Sequence, residues 1–454
     1  MKDPHCLLAR LTVHPSESPV RLTVPAIVSK VSSPLMRRKN LHKVLFAFFS
    51  FLLLLHALLF WRAKEDAFRG LADFSSFYTA AWMVRQGLGY RLYDLGTQIR
   101  AQEVLYPNTR SKNDLLPYIH PPFEALLYLP LTYVSYRVAY AIWVIVNIFV
   151  LLAAAMLLEP HMTELKAVWA PLPLLLFLGF FPVFIGILQG QDSVLLLLIF
   201  SLVYVCLKTK RDFSAGTVLA LGLFKFQYTV PFLVPFLLWR RWKVLGGVAS
   251  SIVVLFLLSL PVAGFYGTMS YSGFLLNLVR GSTSYHSLIA LGMGSNTMPN
   301  IRGAVETLGT GLLQPGYQKV VVVLLSGASI VWAAIKWHIS RIRPEKAFDL
   351  GFALALVTSI LVSYHLQLHD LTLLLIPFIL FLDYSLKIQD DAESRQFLLF
   401  GIIALFYFSP LYLWLIQRNE LYLLFFPILF LAAMLSHEIG PSAREDKNRA
   451  EPGF

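Results

Sequence analysis

In a chain this apolar, the few ionisable side chains that stand inside or beside hydrophobic runs are where chemistry can occur. Asp73 follows the first apolar run by about a dozen residues and opens a stretch of helical periodicity. It reads in two ways: as the N-cap of that helix, or as a general base that takes a proton from an acceptor hydroxyl at the membrane edge. Lys225 lies in the apolar setting GLFKFQYTVP. An ammonium there needs an anion, and a phosphate is the natural one. Snorkelling to an interface is the alternative, and the roughly 14 residues to either basic flank count against it. The run SYHLQLHD places His365 and His369 four apart, next to Asp370. On a helix that spacing suits a metal, but the chain must reverse here, so we expect these groups to line a sugar or phosphate pocket. Gln191 and Asp192 in GQDS stand at another such reversal, with Asp192 equally suited to capping the next helix. Arg302, in GMGSNTMPNIRG, offers a fork for a phosphate or is simply an exposed loop arginine. His120 precedes Pro121 and Pro122, which suit the first turn of an element running to Leu131. No phosphate-cradling glycine loop, zinc motif or G-x-S-x-G elbow occurs, which argues against nucleotide hydrolysis.

The elements that must position these residues are membrane helices. Of 454 residues, 57% are hydrophobic and 14% charged, and the mean hydropathy is +0.64. A soluble chain carries charge on about a quarter of its positions, so soluble enzymes, disordered tails and coiled coils are excluded. The two cysteines, Cys6 and Cys206, provide no disulfide framework or metal knuckle. Apolar runs of spanning length cover residues 44–61, 135–158, 168–187, 191–207, 244–263, 317–337, 348–364, 370–386, 396–413 and 420–436, which predicts ten crossings of an all-α polytopic membrane protein. Residues 213–239 differ. Lys208, Lys210 and Arg211 flank one end and Arg240, Arg241 and Lys243 the other, so both ends want the same side, and Pro231 and Pro235 interrupt the run. This predicts a re-entrant helical hairpin with its tip near Lys225 to Thr229.

With the N-terminus cytoplasmic, the short inner connections hold the lysines and arginines, and the short outer ones hold almost none except Arg418. Both termini are therefore expected in the cytoplasm, and the net charge of +12 belongs to membrane sidedness, with no nucleic acid implied. Residues 1–43, with eight basic and two acidic side chains, read as a basic disordered tail before a signal anchor, and 437–454 as a second cytoplasmic tail. Two long loops, 62–134 and 264–316, face outward, which places the function on the outer side. In the first of them Phe74, Phe77, Tyr78, Ala81 and Trp82 recur at helical spacing, as a stripe suited to the interface plane.

The blocks ADFSSFYTAAWMVRQGLGYRLYD, YIHPPFEALLYLPL, GQDSVLLLL, GLFKFQYTVPFLVPFLLWRRW, MPNIRG and YHLQLHDLTLLLIP, in that order, resemble glycosyltransferase family 87, a group of GT-C type membrane enzymes that includes polyprenyl-phosphate-mannose-dependent mannosyltransferases. The likeness extends over roughly residues 44–436. It implies transfer of a hexose, mannose among them, from a polyprenyl-phosphate donor to a lipid or glycan acceptor on the outer face of the cell membrane. It also implies that Asp73 is the catalytic base. Lys225 falls on the lysine of the family's short hairpin, His365 and Asp370 on its polar outer turn, and Arg302 on its loop motif. Many members have an aromatic residue before the paired prolines, where this chain has His120; a substrate contact is expected there.

The expected reaction is one inverting displacement. Asp73 deprotonates the acceptor, the sugar's anomeric carbon is attacked from the face opposite the phosphate, and Lys225 or Arg302 stabilises the leaving phosphate. Gln191, His120, His365, His369 and Asp370 complete the expected substrate site. No cofactor is expected and no metal is required, because no paired carboxylates stand out in the first outer loop. A lipid or solute transporter is the alternative, since broken spans and a buried lysine suit transport too. It gives no reason for the long outer loops, and no repeat relates the two halves. A noncatalytic assembly factor would keep its function without Asp73.

Overall fold

The computed structural model describes residues 38–107, 116–280, 294–341, 346–388 and 392–439. The expectations for Cys6, the tails at 1–37 and 440–454, Gly292 and Met293, and Arg343 lie outside the described residues. The chain forms two units. Met1–Leu45 contributes only the first turns of the opening helix to the described residues, and Phe46–Phe454 holds everything below.

The described residues are helical, and all ten expected crossings fall on helices. The first helix runs Arg38–Phe68, starting inside the expected tail, and the last is Phe425–Ile439. Among the described residues, eight helices are long and apolar enough to cross a membrane, the stretch 212–238 counted among them, or nine with the bent pair Leu172–Gly179 and Phe181–Gln189, while the expected crossings at 191–207 and 348–364 fall on shorter helices. That pair turns by 52° between them, and Pro182 sits in the first turn of the second, where it breaks no hydrogen bond. Tyr136–Leu158 shows why lipid must be the solvent. It is apolar all round, yet Phe149 is 65% and Met156 73% exposed, an arrangement that water would penalise.

The stretch 212–238 is long enough to cross if straight, but it turns back. Asp212 pairs with Arg241 at 2.5 Å, and Gly216 lies so close to the next helix that a Cβ would stand 1.9 Å from the Val244 carbonyl oxygen. A straight helix of 27 residues would separate those ends by about 40 Å. Instead Asp212–Leu221 and Phe226–Leu238 are joined by a single 3-10 turn, and Lys225 leaves helical geometry at φ −117°, ψ 63°. The expected hairpin, with its tip at Lys225, is what these contacts build.

The aromatic stripe after Asp73 behaves differently from expectation. In the helix Phe74–Arg85, Phe74, Phe77, Tyr78 and Ala81 are buried in protein, and only Trp82 is half-buried. Phe77 stacks on Tyr128 at 4.8 Å and Phe74 on Trp143 at 6.4 Å, so the stripe is a core face rather than a membrane-surface one. At the far end of the helix Ser193–Lys208, about 22 Å from the site described next, Lys208 pairs with Asp349 at 2.8 Å. Nearby, Asp383 accepts the backbone N–H groups of Glu164 and Leu165, capping a short helix from outside it.

Candidate functional site

Three chain reversals meet beside the start of the helix Phe74–Arg85. The first, at residues 189–192, ends one helix and begins Ser193–Lys208. Gly190 makes it possible with φ +62°, and a Cβ there would come within 2.7 Å of Phe74. Tyr140 Oη donates to the Leu188 carbonyl at 2.6 Å and Trp143 Nε1 to the Gly190 carbonyl at 2.9 Å, so the turn is fixed to the helix Tyr136–Leu158. Gly190→Val is expected to cost at least about 2 kcal/mol of stability, through the left-handed backbone and the clash with Phe74, read as a lowered melting temperature in detergent.

That turn holds Asp73. The Asp73 N–H donates to Gln189 Oε1 at 3.2 Å, and Gln191 Nε2 donates to Asp73 Oδ2 at 2.8 Å. Asp73 stands at the N-cap position, but its carboxylate makes no capping hydrogen bond. The capping reading therefore loses its physical basis. Oδ1 accepts nothing from the described residues, and the side chain is half-buried, so one oxygen is anchored and the other is free to meet a ligand.

The second reversal is the hairpin tip. Lys225 is 3% exposed, and its ammonium lies 2.7 Å from Asp192 Oδ1, 2.6 Å from Asp370 Oδ1 and 2.8 Å from Ser193 Oγ. Its three donors are thus matched within the protein. The expected free cation for a donor phosphate is instead the centre of a buried ion cluster, because carboxylates from two other segments supply the anion first. The third reversal, at residues 362–367, leads into the 3-10 run Leu368–Leu374. Asp370 Oδ2 accepts the Gln367 N–H at 3.2 Å, His369 Nε2 lies 3.5 Å from Asp370 Oδ1, and Tyr228 Oη of the hairpin donates to the His365 carbonyl at 3.1 Å.

The segment from Ser295 to Leu308 joins through Asn300 and Arg302. Asn300 is fully buried; it caps the helix Ile301–Leu308 by accepting the Gly303 N–H at 2.8 Å and donates to the Ser363 carbonyl at 2.8 Å. Arg302 reaches the Tyr364 carbonyl at 3.1 Å, lies over the Tyr364 ring at 4.3 Å and pairs through Nε with Glu306 at 2.9 Å. Of the residues singled out in the sequence, Lys225, Asp370 and His369 meet side chain to side chain and Asp73 pairs with Gln191, while His365 and Arg302 join the third reversal only through the His365 and Tyr364 carbonyls.

Sequence reading missed Glu124. The H-P-P-F-E spacing puts it four residues after His120, with Nδ1 to Oε2 at 2.8 Å, and Asp192 Oδ2 lies 3.7 Å from the same nitrogen. Burial pushes the His120 imidazole down to about 4, against the pull of Asp192. Burial likewise pushes the Glu124 carboxyl well up, and the Asp192 carboxylate beside it pushes further. Asp192 is fully buried between them, with Lys225 2.7 Å from Oδ1 and His120 Nδ1 3.7 Å from Oδ2. His120 is accordingly neutral at pH 7.

A helical membrane protein with buried ionisable groups at converging turns is a membrane-embedded catalyst or carrier. Residues 118–363 match glycosyltransferase family 87, more than half of the chain, and the protein belongs to that family. It is a glycosyltransferase, with a sugar donor and an acceptor as its substrates. The matched segment includes His120, Glu124, Asp192, Lys225 and Arg302 and leaves Asp73, His365, His369 and Asp370 outside. Neither curated proteins nor solved structures yield a match to the chain.

Proposed function

We propose that this glycosyltransferase transfers a hexose, mannose or a relative of it, from a polyprenyl-phosphate donor to a hydroxyl of a lipid or glycan acceptor. The reaction takes place at the outer face of the plasma or inner membrane, with both termini cytoplasmic and residues 44–436 forming the catalytic domain. The observation that carries this reading is Asp73, whose carboxylate is held at one oxygen by Gln191 and left open at the other, beside the cluster at the helix ends. A base so placed takes the acceptor's proton as its oxygen bonds to the anomeric carbon. The bond from that carbon to the phosphate oxygen breaks on the opposite face, inverting the centre, and the polyprenyl phosphate leaves. The donor's chain lies against the apolar helices, which lipid already solvates.

Arg302, whose one carboxylate partner, Glu306, is met through Nε alone, is the cation for the departing phosphate, whereas Lys225 is matched by two carboxylates. Lys225 positions Asp192 and Asp370, while Gln191, His120, His365, His369 and Asp370 meet sugar or acceptor hydroxyls. Family membership favours this reading over the transporter. The test is to supply the purified protein with a panel of polyprenyl-phosphate hexoses and candidate acceptors and follow product formation; no transfer from any lipid-phosphate donor, with activity from a nucleotide sugar instead, would overturn it. In the same assay Arg302→Ala is expected to raise the donor KM by about 10–100-fold with little change in kcat, the worth of a charged hydrogen bond. Arg302→Lys should recover only part, since it restores charge without the fork.

A further inference from the structure

His120 Nδ1, a Glu124 carboxylate oxygen and an Asp192 carboxylate oxygen all lie within 4.8 Å of one another. We infer that these three side chains form a binding site for one divalent first-row cation of the Mn2+ type. Around a single ion with bonds of about 2.1 Å, neighbouring ligand atoms stand about 3.0–3.4 Å apart. The separations from His120 Nδ1, 2.8 Å to Glu124 Oε2 and 3.7 Å to Asp192 Oδ2, bracket that range, so small side-chain rotations complete the geometry.

The second observation concerns partners. Glu124 and Asp192 have side-chain exposures of 2% and 0%. Apart from their contacts with one another and with His120, no described residue serves either oxygen of Glu124 or Oδ2 of Asp192. Buried carboxylate oxygens are rarely left so, because each forfeits its hydration.

The ligands are also oriented in advance. Pro121 and Pro122 fix the backbone between His120 and Glu124, Phe77 packs edge-on to the imidazole at 5.0 Å, and Tyr93 Oη donates to the His120 carbonyl at 2.9 Å. Lys225, bound to Oδ1 of Asp192, turns Oδ2 toward His120. Such outer support is what holds metal ligands in register. One imidazole and two carboxylates are the donor set of a borderline-hard ion, and three protein ligands leave positions for water or a substrate oxygen.

The site does not depend on the identity of the sugar donor, so its test reads the metal alone. The full chain, purified in detergent and stripped with chelator, is titrated with MnCl2 while the electron paramagnetic resonance of free Mn2+ is followed. The expected result is saturable uptake of one ion per chain, with spin-echo modulation from a directly bound nitrogen that changes when the histidines carry 15N. Glu124→Gln is expected to weaken binding by at least about tenfold. Absence of saturable binding, binding without the nitrogen modulation, or wild-type affinity in Glu124→Gln would each overturn the proposal. A protonated-carboxyl infrared band that Glu124→Gln removes, in a protein that takes up no Mn2+, would show that a shared proton does the ion's work. The nitrogen modulation is read on the unaltered protein, so the outcome does not hang on the variant's folding.

Discussion

Asp73→Asn is expected to lower the single-turnover rate of sugar transfer by about 100- to 10,000-fold, the usual contribution of a positioned general base, while leaving the melting temperature within a degree or two. The substitution keeps the shape and retains an oxygen that can accept from Gln191 Nε2, so the contact at 2.8 Å survives. Nor does the helix Phe74–Arg85 lose a cap, since the carboxylate supplies none. What disappears is basicity. The decisive comparison is the chemical step against donor affinity. A loss confined to the rate, with donor binding unchanged, identifies a group that acts in the transition state. Transfer at the wild-type rate would remove Asp73 from the chemistry and turn attention to the acids around Lys225.

Lys225→Met should act on a different quantity. From the sequence alone the change would weaken donor binding and spare the fold, but the structure argues the reverse. Methionine would leave Asp192 and Asp370 facing each other, buried and uncompensated, where the ammonium now stands 2.7 and 2.6 Å from them. Removing one partner of a buried ion cluster costs about 3–5 kcal/mol, enough to unfold a marginally stable domain. Removing all the charges together costs much less, because the desolvation penalty goes with them. The triple variant Lys225→Met, Asp192→Asn, Asp370→Asn is therefore expected to recover most of the melting temperature that the single variant loses. A stable Lys225→Met protein with selectively weakened donor binding would return the phosphate role to Lys225.

Much of the architecture is legible in the linear chain because lipid imposes a strict rule: a crossing needs a sustained apolar run, and basic residues mark the inner side. The hairpin is legible for the same reason, since the basic flanks of 212–238 admit only a return. Periodicity alone does not say what covers an apolar face. The stripe from Phe74 to Ala81 looks the same whether headgroups or Tyr128 and Trp143 cover it, and here the protein does. Residue type and setting single out Asp73, Lys225 and the SYHLQLHD run, and the fold brings Lys225 onto Asp370 of that run. Their pairings were beyond reach, because Lys225 meets Asp370 across 145 residues and Asp192 meets Glu124 from a different turn. Glu124 itself sat in an ordinary amphipathic stretch, and only its i,i+4 spacing from His120 hinted at a role.

The lysine hub also sets a schedule for biogenesis. Asp192 is synthesised first, Lys225 next, and Asp370 arrives 145 residues later. At a ribosomal pace of about 5–20 residues per second, the nascent hairpin waits about 7–30 s with only one of its two counter-ions in place. During that interval the tip is poorly suited to hydrocarbon, so the early helices have reason to linger at the insertion machinery until the segment beginning at Leu368 arrives. The cluster is complete only once Asp370 has been made, so its three charged members come from segments finished at widely separated times.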